Sequence, residues 1–219
     1  MDEIEILEIL SSNREIEDNK VFTILSDKKC RQIFIKQYDF FYRNNQEKIA
    51  FFIDSNYNLD TPSDFKVDLL DLAFEINYYS KKIDKLIREE LKMRRDYIFK
   101  LSALDYLNHF YPFISNKNDY LELSEYLFCN SSNNIVVFQA AINLLPRDNV
   151  KYENYLLKRL TKENVAPFLY YRLVDNLISY DQFKSFRDFL NSVLEIIVST
   201  NNLSVNQKQE LKGRIVSST

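Results

Sequence analysis

His109 is the only histidine in the chain and stands four residues after Asp105, a spacing that lets an imidazole meet a carboxylate on one helix face. Such a dyad does chemistry only beside a nucleophile, and no spacing places one there. The expectation for His109 is a structural or surface role. Cys30 and Cys129 lie 99 residues apart and form no CxxC. With a single histidine they make a protein zinc site improbable, so neither metal nor cofactor is expected. Both read as buried, reduced, slowly reacting thiols. Loops that cradle phosphate need glycine backbone, and the one glycine, Gly213, sits six residues from the end. The chain reads as a non-enzyme without catalytic residues.

What recurs is an acid, or its amide, directly after a bulky residue: Tyr38-Asp39, Leu70-Asp71, Leu104-Asp105, Ile142-Asn143 and Val174-Asp175, at steps of 32, 34, 38 and 32 residues. Spacing of this kind is that of stacked helix pairs. Asp39, Asp71, Asp105, Asn143 and Asp175 would then form a row along one layer. Two readings follow. The row receives a basic partner, or each member bonds a neighbouring repeat, as a half-buried acid must. Tyr78 and Tyr170, each in a Tyr-Tyr pair near a helix end, are further candidate partner contacts, since exposed tyrosines anchor interfaces. A second pattern sets an acidic stripe (Asp64, Asp68, Asp71, Glu75) before a basic one (Lys81, Lys85, Arg88, Lys92, Arg95). A turn near Ser80 would let the two stripes approach one another; they read otherwise as solvated faces, or the basic stripe, with Tyr97 and Lys100 just beyond, touches phosphate or an acidic protein.

The elements that must hold these residues are helical. A hydrophobic share of 46% is enough for a continuous core, and a chain without interior glycine cannot build the tight turns that most sheets require. Periodicity and capping predict helices over 2–11, 15–25, 28–43, 46–56, 62–79, 81–93, 96–111, 117–129, 133–145, 149–160, 165–179, 181–198 and 205–216. The firmest start is Thr61-Pro62-Ser63-Asp64, with a capping hydroxyl before a proline at the first helical position. The weakest boundary is 77–80. There no Gly or Pro enforces a break, and one helix over 62–94 competes with two. No linker or low-complexity segment appears, so a single domain is expected: an N-terminal cap over 1–27, about five helix pairs over 28–199, and a capping helix over 200–219.

From Asn133 to Leu177 the signals resemble HEAT-like repeats. Ser132-Asn133-Asn134 stands for the polar turn, Ala140-Ala141 for the small pair of the inner helix, 149–160 for an outer helix, and Glu163-Asn164-Val165 for the next turn. The likeness covers 28–179 in outline and about two repeats in detail. The family's glycine and turn arginine are missing, and aromatics occupy sites usually held by Leu or Ala. The resemblance implies an all-α, right-handed superhelical stack of antiparallel helix pairs, and such folds rarely imply an activity. With 29 basic and 32 acidic side chains the formal charge is −3, which gives phosphate no attraction and disfavours nucleic acid. No apolar run approaches the roughly 20 residues of a membrane span, and a cytoplasmic protein is expected. The expected function is binding of a protein partner, with a bacterial immunity protein or antitoxin covering a basic toxin domain as its specific form. The alternatives are a DNA-glycosylase-like HEAT-repeat protein that binds nucleic acid, and a scaffold or oligomerisation module.

Overall fold

Short polar side chains start many of the helices. In the computed structural model, which describes residues 16–36, 45–93, 96–179 and 186–218 together with Ile4 and Glu8, Asp27 Oδ1 accepts from the Cys30 amide at 2.8 Å, Asp96 Oδ1 from Phe99 at 2.9 Å and Asp148 Oδ1 from Lys151 at 3.0 Å. Asn133 Oδ1 accepts from both Ile135 and Val136. Ser204 and Gln207 cap one another reciprocally, side chain to backbone. Each bond satisfies an amide that the first turn of a helix leaves without a partner. Thr61 is an exception to the sequence reading. Its hydroxyl donates to the Asn56 carbonyl, tying off the preceding helix, and the next helix begins at Ser63 without a side-chain cap.

The described residues form 12 α-helices and no strand. They are α1 (Asp18–Ser26), α2 (Lys28–Lys36), α3 (Gln46–Asn56), α4 (Ser63–Glu75), α5 (Lys81–Leu91), α6 (Tyr97–His109), α7 (Lys117–Asn130), α8 (Asn134–Leu144), α9 (Asn149–Leu160), α10 (Pro167–Ser179), α11 (Arg187–Ser199) and α12 (Val205–Ser218), with a 3-10 turn at Tyr111–Phe113. Residues 135–138 and 168–171, β-branched and aromatic runs that favour strand by propensity, lie inside α8 and α10. Asp39, Arg95 and the start expected at Asp181 lie outside the described residues, as does most of the helix expected over 2–11.

The contacts divide the chain into two compact units, Met1–Leu123 and Ser124–Thr219. The sequence reads as one domain because the division falls inside α7, where no change of composition marks it. In the first unit α2 packs on α4 and α4 on α6; α1 meets α2 and α3, α3 meets α4, and α5 meets α6. In the second, α8 packs on α10 and α10 on α12, while α9 meets α8 and α11. Alternate helices are thus neighbours within each unit. Their cores are continuous: Leu69, Leu72, Ala73, Phe99, Leu104 and Leu107 are fully buried between α4 and α6, and burial of a Leu or Phe side chain is worth about 1.5–3 kcal/mol.

The uncertain boundary resolves as a break. Asn77 adopts φ 47°, the left-handed conformation, the Tyr78 amide bonds Ala73 O at 2.8 Å and the Asn77 amide bonds Phe74 O at 3.0 Å. This is the two-bond Schellman ending, with asparagine where glycine is usual. Asn164, at φ 59°, serves the turn before α10. Left-handed turns are therefore present in a chain whose only glycine is near its end.

Because α5 folds back, Glu90 meets Lys66, and both side chains are 0% exposed. Lys66 Nζ also donates to Leu59 O at 2.9 Å and lies 5.8 Å from the centre of the Tyr57 ring, whose hydroxyl is 3.3 Å from Glu90 Oε2. The pair is well satisfied, and removing one member strands a buried charge, at a cost of about 3–5 kcal/mol. Glu90→Leu alone should lower stability in urea unfolding by that amount. Lys66→Met combined with Glu90→Leu should recover most of the loss, and a double variant as unstable as the single one would show that the pair itself contributes net stability.

Candidate functional site

The acidic stripe of α4 does not face the basic stripe of α5. Asp64 Oδ2 pairs with Lys28 Nζ at 2.9 Å and Asp68 Oδ2 with Arg31 Nη2 at 2.7 Å, both from α2. Arg88 instead pairs with Asp84 of its own helix at 2.7 Å, and Glu90 turns into the core. Lys28 keeps its ordinary charge more firmly, and Asp64 is held below the usual carboxylate range, each by the bond to the other. The reason is packing: α4 lies against α2 and α6, so its charged face looks along that row.

Arg31 shows how an acid of this row is served. Its Nε and Nη2 donate to Asp68 Oδ2 at 2.9 and 2.7 Å, Nη1 donates to Leu25 O, and the guanidinium lies 4.2 Å over the Phe65 ring. The same arrangement recurs in the second unit. Arg214 Nη1 pairs with Asp175 Oδ1 at 2.6 Å and Nη2 with Glu210 at 2.8 Å, with the guanidinium 5.2 Å from the Tyr171 ring. Asp175 braces α10 to α12. Both clamps combine a carboxylate, a planar cation and a ring three or four residues from the acid.

Asp71 has no such cation. Among the described residues nothing hydrogen-bonds or ion-pairs with it, and its pKa is pushed up to about 7, first by desolvation and then by the negative charges of Asp68, Asp105 and Glu75. The residue is exposed by surface area; a side chain can keep surface to solvent while protein atoms ring its carboxylate. Asp105, half-buried, comes from the adjacent α6. Beside these two acids stand Phe74, 43% exposed, and His109, their ring centres 4.3 Å apart. Burial lowers the His109 pKa, and its Nε2 lies 3.0 Å from Asn77 Oδ1. The imidazole is thus a neutral ring fixed by the α4 terminus, and among the described residues no serine, threonine or cysteine bonds it.

The other expected contact residues divide. Asn143 is fully buried and accepts from Gln139 Nε2 at 2.9 Å, in a network with Asn176 and Arg172. Tyr170 is fully buried, its hydroxyl donating to Leu160 O at 2.7 Å. Neither presents its side chain to a partner: Asn143 belongs to a polar network that links α8 to α10, and Tyr170 ties α10 to the end of α9. Tyr78 is half-buried, and its hydroxyl donates to Asp54 Oδ2 at 2.7 Å; burial, aided by that carboxylate, pushes its pKa up to about 12. The structure therefore brings together Asp71 and Asp105, and adds Phe74, which sequence reading missed. Its signal was available: Phe74 follows Asp71 by three residues, as Asp68 follows Phe65.

Cys30 is buried, and burial together with Asp27 raises its thiol pKa; Cys129 is exposed. Its position on α7 next to Phe128, which packs on Tyr152 and Tyr155, turns the cysteine outward. The expectation of two shielded thiols fails for Cys129. Among the described residues no three His, Cys, Asp or Glu side chains are placed to hold a metal ion, and no helix is long and apolar enough to cross a membrane. Comparison of the chain with protein-family models, curated proteins and solved structures gives no match.

Two outcomes are expected. Maleimide labelling of the native protein should modify one thiol, Cys129, quickly and Cys30 only on unfolding. For Asp71, a pKa raised from 3.8 to about 7 means that the folded chain holds a proton the unfolded chain has released between those values. Its contribution to stability falls as pH rises through that window and stays reduced above it. Asp71→Asn removes the penalty. Its melting temperature should equal the wild type's near pH 4 and exceed it increasingly up to pH 8, and a variant less stable at pH 8 would mean that Asp71 braces a neighbouring helix.

Proposed function

We propose that this protein is a non-enzymatic, HEAT-like α-solenoid that binds a basic protein through the acidic face of α4 and α6. The observation that carries the reading is Asp71: desolvation and the charges of Asp68, Asp105 and Glu75 raise its pKa, and among the described residues no cation bonds it. Charges held together at such a cost are relieved when a complementary surface docks. Asp64, Asp68 and Asp175 do not contribute in the same way, because Lys28, Arg31 and Arg214 already answer them. The side-by-side packing of alternate helices supports a solenoid, and the 32–38-residue recurrence of the acid positions is consistent with it. A nucleic-acid partner is disfavoured by the sign of this face, which repels phosphate. An immunity protein or antitoxin that covers a basic toxin domain is the specific role this charge and size fit.

The test is co-purification from the native host, followed by affinity measurements of the captured protein for wild type and for Asp71→Asn/Asp105→Asn. Binding should weaken by roughly an order of magnitude at low salt and much less at about 0.5 M, where screening shortens the reach of charge to a few ångströms. A captured partner that is acidic, or an affinity indifferent to both substitutions, would refute the proposal.

A further inference from the structure

The two internal clamps indicate what kind of cation the open position takes. In Arg31–Phe65–Asp68 and Arg214–Tyr171–Asp175 a planar guanidinium lies over a ring and donates to a carboxylate from the same helix. The α4–α6 face carries the same two kinds of group, an acid and a ring three or four residues apart on one helix, in the reverse order along the chain. Asp71 and Phe74 stand three residues apart on α4, Asp105 and His109 four apart on α6, and the Phe74 and His109 rings touch at 4.3 Å. We propose that this face docks an arginine side chain of a basic protein segment, which stacks on Phe74 and His109 and donates to Asp71. The inference rests on the proposed binding of a basic partner and names the group that is recognised.

Arginine fits this face better than lysine for geometric reasons. A guanidinium is flat, carries five donors in one plane and is weakly hydrated, so it can cover a ring and reach a carboxylate at the ring's edge together. An ammonium is a compact, strongly hydrated point charge that gains from the acids but little from the rings. Phe74 is 43% exposed, so the stacking surface is open without rearrangement. His109 is held by Asn77 and keeps a neutral ring, because burial disfavours its protonated form; a charged imidazole would repel the incoming cation. The titratable groups that bear on Asp71 are Asp68, Asp105 and Glu75, all acidic, and Asp68 is bonded by Arg31. Docking a cation would favour the ionised form of Asp71 and release a proton near neutral pH.

The probes are two synthetic peptides, acetyl-Gly-Arg-Gly-Arg-Gly-Arg-Gly-amide and its all-lysine counterpart, titrated into the full chain at low salt with calorimetry in two buffers of different ionisation enthalpy. The arginine peptide should bind at least tenfold more tightly, with proton release near pH 7. Asp71→Asn should abolish that release, and Phe74→Leu should bring the arginine peptide down to the lysine level. Equal binding of the two peptides, lost in Asp71→Asn, would overturn the arginine assignment and leave the acidic-face reading standing. Binding of neither peptide, or arginine binding unchanged by both substitutions, overturns the arginine assignment, while co-purification still decides the broader reading by itself. Phe74 is partly exposed, so Phe74→Leu should fold as the wild type does, and its circular dichroism and melting temperature check this directly.

Discussion

The left-handed turn at Asn77 sets the arrangement of the first unit. By ending α4 after Glu75 it reverses the chain, and α5 then returns beside α6 with Glu90 over Lys66. The residues just after it are fastened separately. Tyr78 and Ser80 side chains both donate to Asp54, the Ser80 amide donates to Tyr106 Oη at 2.9 Å, and Ser80 Oγ caps α5. Asn77 Oδ1 also meets His109, so one strained residue orients both a helix and a ring. Asparagine fits because its short side chain tolerates this conformation and can bond locally.

Charge placement in the first unit follows from that reversal. A continuous helix would keep Lys66 and Glu90 far apart along one axis, and each would have to reach solvent. Folded back, they neutralise one another in a fully buried setting that also supplies the Leu59 carbonyl and the Tyr57 hydroxyl, and the external acids of α4 are left to α2 and α6. Arg31 and Lys28 serve Asp68 and Asp64; Asp71 remains. Among the described residues the α2 cations Lys28 and Arg31 bond Asp64 and Asp68, and no cation bonds Asp71.

The chain's many tyrosines fit the same logic. Tyr57, Tyr106, Tyr120, Tyr152 and Tyr170 are all but fully buried, and for a phenol that demands a partner for its hydroxyl. Tyr106 reaches the Ser80 amide, Tyr170 the Leu160 carbonyl and Tyr57 Glu90. Each bond joins segments remote in sequence, so in these cores a tyrosine supplies both apolar bulk and a tie that Leu or Ala could not.

Helix content, the positions of most helices and the lack of strand among the described residues were legible in the sequence, because apolar periodicity acts over three or four residues and needs no knowledge of the rest of the chain. The candidate acids Asp71 and Asp105 were legible too, through their recurrence. What tertiary structure decided was which charges meet. Nothing in the spacing of Lys66 distinguishes it from a solvated lysine, Asp68 and Asp71 occupy the same stripe, and Asn143 occupies the same ladder as Asp71. Only the packing of α2 against α4 and of α4 against α6 gives Asp68 an arginine and, among the described residues, Asp71 none, and only the burial of α8 encloses Asn143. Electrostatic pairing depends on distances between helices that are far apart in the chain, and one helix's own pattern does not contain them.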